Sequence, residues 1–174
     1  MDLTPFQSCP RCIDRDGPQP GFYYETDLVT GRIHVRECPC HLEWKNTQRL
    51  ILRAKKANIW YTEDILKYDP TKDYLGTLSK KNVYNLQKYL DKVGSDRRFA
   101  EASLYMYGPN GTQKTYLAHW FGLSLLRKKY SVKYQLMNQI LGKLTSGFEN
   151  DDDNKKFRQE LLDVDMLIID EAFS

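Results

Sequence analysis

Gly108-Pro109-Asn110-Gly111-Thr112-Gln113-Lys114-Thr115 has the residue types and spacing of a phosphate-binding loop. Glycine lets the backbone turn tightly and aims successive amide N–H groups at phosphate oxygens. A helix expected from Lys114 adds the positive end of its dipole. Lys114 is placed to neutralise the outer phosphates, and the Thr115 hydroxyl to bind a magnesium ion that bridges them. Tyr116 completes the set of candidate nucleotide-contacting residues. The position before the lysine is normally glycine, and here it is Gln113. A residue entering a helix is expected not to need a positive φ, so the side chain reads as an accepted variant. The competing reading is a degenerate loop.

A second motif decides between them. Met166-Leu167-Ile168-Ile169-Asp170-Glu171 is an apolar run ending in two acids. Four apolar residues suit a strand buried on both faces, and its carboxyl end is where ligands of open α/β sheets bind. Asp170 would hold the magnesium ion, and Glu171 would accept a proton from an attacking water. Glu171 and Lys114 are therefore the candidate catalytic residues. A lone strand ending in Asp-Glu reads as a solvated turn. Two motifs in the right order, with one further strand expected between them, carry more than either alone.

The four cysteines form two tight pairs, Cys9-Pro10-Arg11-Cys12 and Cys38-Pro39-Cys40-His41. Each pair suits a thiolate knuckle, and together Cys9, Cys12, Cys38 and Cys40 suit a tetrahedral, structural zinc site. A disulfide framework is the next alternative, disfavoured in a reducing compartment. His41, and more distantly His34, could replace one cysteine, and read otherwise as ordinary polar residues.

These groups need elements to hold them. Residues 1–41 contain two β-like pieces, Gly21–Glu25 and Arg32–Arg36, and form a module too small to stand without a staple. Residues 42–78 read as a helix from Leu42 to about Ile59 and then a linker with weak local structure. Residues 79–174 carry an amphipathic helix, Lys80–Val93, whose Val83, Leu86, Leu90 and Val93 make one stripe ended by Gly94. Strands (Ala102–Tyr107, Ser131–Leu136, Met166–Ile169) then alternate with helices (Thr115–Lys129, Met137–Thr145, Lys155–Leu162). That alternation predicts an α/β fold, a parallel sheet flanked by helices. With 41% hydrophobic and 28% charged residues in 174, the chain is ordinary for a globular protein, not a disordered one. A net charge of +3 is too small to prove a nucleic-acid partner. The basic stretch Glu43–Ala57 suits a polyanion or an acidic partner as well as it suits solvent, whereas the acidic run Glu149–Asp153 reads as solvated surface. No secretory leader and no apolar run of about 20 residues is present, so a cytoplasmic protein with no membrane partner is expected.

The knuckle module, the basic helix, "YMYGPNGTQKTYLAHWFGLSLLRKKYSVKYQLMNQILGKL" and "LLDVDMLIIDEAFS" together resemble the DnaC/DnaI/IstB group of AAA+ ATPases. The resemblance covers the N-terminal part of that ATPase core. It implies ATP-controlled delivery of a replicative helicase onto single-stranded DNA, with the zinc-bearing part contacting the helicase. It also implies a homo-oligomer with ATP between subunits. It makes Gly108–Thr115 the phosphate loop, Asp170 the magnesium carboxylate and Glu171 the catalytic base. Ser174 comes soon after Asp170, so a longer polypeptide is expected. Two alternatives stand beside this reading: an IstB-like transposition helper, and a non-hydrolysing zinc adaptor switched by nucleotide.

Overall fold

The structure, a computed structural model, describes residues 6–7, 9–13, 17–73, 80–93, 103–146 and 151–171. The chain divides into two compact units, Met1–Leu52 and Arg53–Ser174. In order, the elements are α1 (Pro10–Ile13), β1 (Phe22–Thr26), β2 (Ile33–Glu37), α2 (Pro39–Lys56), α3 (Glu63–Lys67), α4 (Pro70–Asp73), α5 (Lys80–Lys92), α6 (Lys114–Arg127), β3 (Val132–Leu136), α7 (Met137–Ser146), α8 (Asp151–Leu162) and β4 (Met166–Asp170). Among the described residues no helix is long and apolar enough to cross a membrane.

In the first unit the two expected strands form an antiparallel hairpin, with Phe22 opposite Glu37 and Thr26 opposite Ile33. Asp27 holds the turn: its Oδ1 accepts from the Val29 and Thr30 N–H groups, and its carbonyl accepts from Gly31 N–H. Every residue of β2 is exposed, and on β1 Phe22 and Tyr23 are half-buried, so the hairpin buries little apolar surface of its own. Helix α2 starts at Pro39, three residues before the expected Leu42, because proline suits a first helical position. Its end is a left-handed Asn58 (φ 58°), with Ile59 N–H donating back to Ala54 O.

The second unit is organised around α6. Leu117 through Leu123 and Leu125–Leu126 are all buried, and a helix buried on nearly all sides is a core helix rather than a surface one. Strands β3 and β4 pair in parallel, Val132 opposite Met166 and Leu136 opposite Asp170, and α6 packs across both. Gly122 is what allows close approach. A Cβ there would lie 2.5 Å from Ile59 Cδ1 and 3.0 Å from Ile168 Cδ1. The outer edge of β3 is covered by the turn after α2, since Tyr134 N–H donates to Ala57 O at 2.8 Å. The amphipathic reading of α5 holds, with Val83, Leu86, Leu90 and Val93 all buried.

Several expectations change. The linker contains two short helices, α3 and α4, the first capped by the Thr62 hydroxyl. Helix α8 begins at Asp151, within the acidic run, whose Asp152 and Asp153 are exposed as expected. The strand expected over Ala102–Tyr107 does not form: described residues 103–107 join no ladder, and Leu104, Tyr105 and Tyr107 are exposed. Aromatic and branched residues favour a pleated, half-buried surface, but only a neighbouring strand satisfies the backbone. Ala102, Gly94, Glu149 and residues 74–79 of the linker lie outside the described residues.

The basic stretch is partly absorbed by structure. Arg53 donates to Leu126 O at 2.6 Å and to Tyr130 O at 2.7 Å, closing the C-terminal end of α6. Arg53→Met is expected to cost about 1–2 kcal/mol of stability, the range for charge-assisted bonds whose carbonyls can partly rehydrate. Urea unfolding measures it, and an unchanged midpoint would contradict this role.

Candidate functional site

The loop before α6 is built for close backbone approach. Gly108 (φ 152°) and Gly111 (φ 80°) take conformations that only glycine adopts without strain. The Thr112 hydroxyl donates to Pro109 O at 2.9 Å, fixing the bend from inside. Lys114 folds its ammonium over the loop, donating to Gly108 O at 2.9 Å and Pro109 O at 2.8 Å. The Gln113 side chain makes no capping bond to the first turn of α6, and first-turn N–H groups that lack a side-chain cap suit an anion. Asn110 sits exposed at the tip. Tyr116 turns its ring edge-on to Tyr68 at 4.9 Å, packing the start of α6 against the segment before α4.

Gln113 requires a correction. The expectation that this position needs no positive φ is wrong, because Gln113 lies in the left-handed region (φ 60°, ψ 21°). The chain must reverse there between the loop and α6, and glycine does so without a Cβ clash. Its side-chain Oε1 is also buried without a hydrogen-bond partner among the described residues.

The two nucleotide motifs meet directly. The Thr115 hydroxyl donates to Asp170 Oδ2 at 2.7 Å, across 55 residues of sequence. Tyr134 on β3 donates its phenol hydroxyl to the same oxygen at 2.7 Å, and Glu171 N–H donates to Oδ1 at 2.9 Å. Burial works against the charge on Asp170, but these three bonds outweigh it and hold the carboxyl below its usual range. Glu171 itself leaves β4 in a left-handed turn (φ 56°) and is exposed. Thr115 and Asp170 thus stand as a hydroxyl and a carboxylate in contact at the mouth of the phosphate loop, a donor set that fits an oxygen-preferring magnesium ion.

Three residues at this site carried no motif. His119 lies one turn beyond Thr115 on α6 and is completely buried. Its ring stacks on Trp60 at 4.1 Å and on Tyr134 at 4.2 Å, and its Nδ1 accepts the Trp60 N–H at 3.2 Å. Burial lowers its pKa to about 4, against a smaller opposing pull from Asp170, so the ring is neutral at pH 7. A histidine inside the otherwise apolar face of α6 was the one available sign. Beside the loop, a cleft of about 670 Å³ opens between α5 and residues 104–108, lined in part by Asn82, Asn85, Tyr89 and Tyr105. That volume suits a nucleoside-sized ligand.

In the first unit, α1 and the junction between β2 and α2 bring all four cysteines together, their Sγ atoms within 4.8 Å of one another. Cys9 and Cys12 stand 3.8 Å apart, Cys9 and Cys38 3.7 Å, and Cys12 and Cys40 3.6 Å. Four sulfurs at about 2.3 Å from a tetrahedral zinc ion would be separated by about 3.8 Å, so the cluster fits that ion and no disulfide spans it. A backbone hydrogen bond from Cys12 draws Cys9 down to about 7, whereas burial pushes Cys40 up to about 12. His41 does not join the cluster: its Nδ1 meets Glu37 Oε1 at 2.7 Å and its ring stacks on Trp44. His34 is exposed on β2.

Metal analysis should find about one zinc per chain, and Cys9→Ser or a chelator should unfold the cysteine module while nucleotide binding persists. Nucleotide binding lost together with the metal would contradict that independence. Gln113→Gly should raise stability by about 1 kcal/mol, by releasing a left-handed non-glycine residue. A lower thermal midpoint in the variant would mean that the side chain supports the loop.

The family profile described as IstB-like ATP binding protein matches residues 72–173. No curated protein and no solved structure matches the chain. The matched span contains the phosphate loop, Thr115, Tyr134 and Asp170, joined in the geometry above, and this chain belongs to the IstB-like ATP-binding protein family, with the general ATP-binding role of an AAA+ protein.

Proposed function

We propose that this protein is an ATPase that loads or remodels a ring-shaped replicative helicase on single-stranded DNA, acting as a homo-oligomer. The observation that carries the reading is a chain that joins a built nucleotide site to a separate four-cysteine unit. The first supplies a switch, and the second a rigid, metal-stapled surface for a partner. ATP would lie with its phosphates on Gly108–Thr115 and its nucleoside toward the cleft by α5. Lys114, which caps the loop's own carbonyls, is the cation available to the outer phosphates. Magnesium bound with the nucleotide would neutralise the phosphates, with Thr115 and Asp170 as its holders. Glu171, exposed beyond β4, would take the proton of the attacking water.

A second reading, a transposition helper of the IstB type, is favoured by the description of the matching family. Affinity capture with the intact protein separates the two. A replicative helicase retained in ATP and lost in Lys114→Ala is the expected result, and a transposase retained in its place would establish the second reading. In the same preparations Lys114→Ala should bind nucleotide at least about tenfold more weakly, the loss of a direct charge-assisted contact. Equal nucleotide binding by both proteins would remove the phosphate-loop assignment.

A further inference from the structure

We propose that Tyr134 is a positioning residue of the nucleotide–metal site, holding the Asp170 carboxylate through its hydroxyl and held in turn by the buried ring of His119. The inference rests on the reading of Thr115 and Asp170 as holders of magnesium. Among the described residues Asp170 Oδ2 has two donors, Thr115 Oγ1 and Tyr134 Oη, both at 2.7 Å. The threonine oxygen is itself needed by the metal. Tyr134 is then the side chain that keeps the carboxylate oriented without having to face the ion.

Tyr134 is well placed for this. Its backbone is pinned on both sides of β3, by the ladder to β4, where it lies opposite Ile168, and by its N–H to Ala57 O. Its ring lies against His119, whose ring lies in turn against Trp60. The Trp60 N–H occupies His119 Nδ1, which fixes the tautomer and the ring plane. His119 Nε2 is left buried with no hydrogen-bond partner among the described residues. A leucine or phenylalanine would fill the core without that orphaned donor, but could not both accept the Trp60 N–H and stack flat on the phenol. The column Trp60–His119–Tyr134 thus ends on the carboxylate, where a small tilt of the phenol would move the metal-facing oxygens. Groups that hydrogen-bond to a metal's ligands generally tune its affinity in this way.

The test is magnesium-dependent binding of a fluorescent ATP analogue to the full chain, wild type against Tyr134→Phe, with a parallel titration in EDTA. The variant keeps the stacked ring and removes only the hydroxyl. The expected result is a magnesium midpoint raised about tenfold, with metal-free binding of the analogue unchanged. An unchanged midpoint overturns the proposal. So does equal weakening with and without magnesium, which would make the hydroxyl a general packing contact. Wild-type protein that binds no analogue at all overturns the nucleotide reading beneath it, an outcome separate from both.

Discussion

The hydrogen bond from Thr115 to Asp170 is the joint on which the second unit turns. It ties the first turn of α6 to the last residue of β4, two elements far apart in sequence. Because β4 is in register with β3, and Tyr134 bonds the same oxygen, helix and both strands converge on one carboxylate. Burying a charge is unfavourable unless donors surround it. Here hydroxyl, phenol and backbone N–H supply that compensation, and the same three bonds fix the geometry that a metal would read.

The convergence is possible because α6 cannot move easily. Its apolar residues face neighbours on nearly every side, and Gly122 lets Ile59 and Ile168 come within contact of its backbone. Close-packed interiors resist small displacements, so a loop anchored at the start of such a helix is held against a firm base. Arg53 closes the opposite end through Leu126 and Tyr130. Gln113, between the glycine turn and the helix, carries left-handed backbone strain where the chain reverses.

The first unit solves a different problem. Its hairpin is exposed along the whole of β2, and Leu28 and Val29 stand almost fully in solvent. Apolar burial cannot stabilise so small a unit alone. The four sulfurs sit where a core would otherwise be, with Cys12 and Cys38 buried, and four sulfurs gathered so closely are a donor set that suits a metal cation.

The glycine-lysine loop, the strand end at Asp170 and the clustering of the paired cysteines were legible from sequence, because each depends on residue type at short spacing. The longer helices and the paired strands followed from apolar periodicity, with ends displaced by a few residues at Pro39 and Asp151, whereas the short helices α1, α3 and α4 did not. The strand expected near Leu104 was not realised, since a ladder depends on a neighbour that local preference cannot supply. The φ of Gln113 was equally out of reach, being imposed by the direction in which α6 must leave the loop. Tyr134 and His119 carry no motif. Only the parallel register of β3 with β4, and the packing of α6 across them, brought a phenol and an imidazole behind the Asp170 carboxylate. Short-range spacing therefore determined which groups could bind phosphate and metal. Long-range contacts decided how the carboxylate is held, because its orientation depends on side chains that meet only when the sheet and helix have formed.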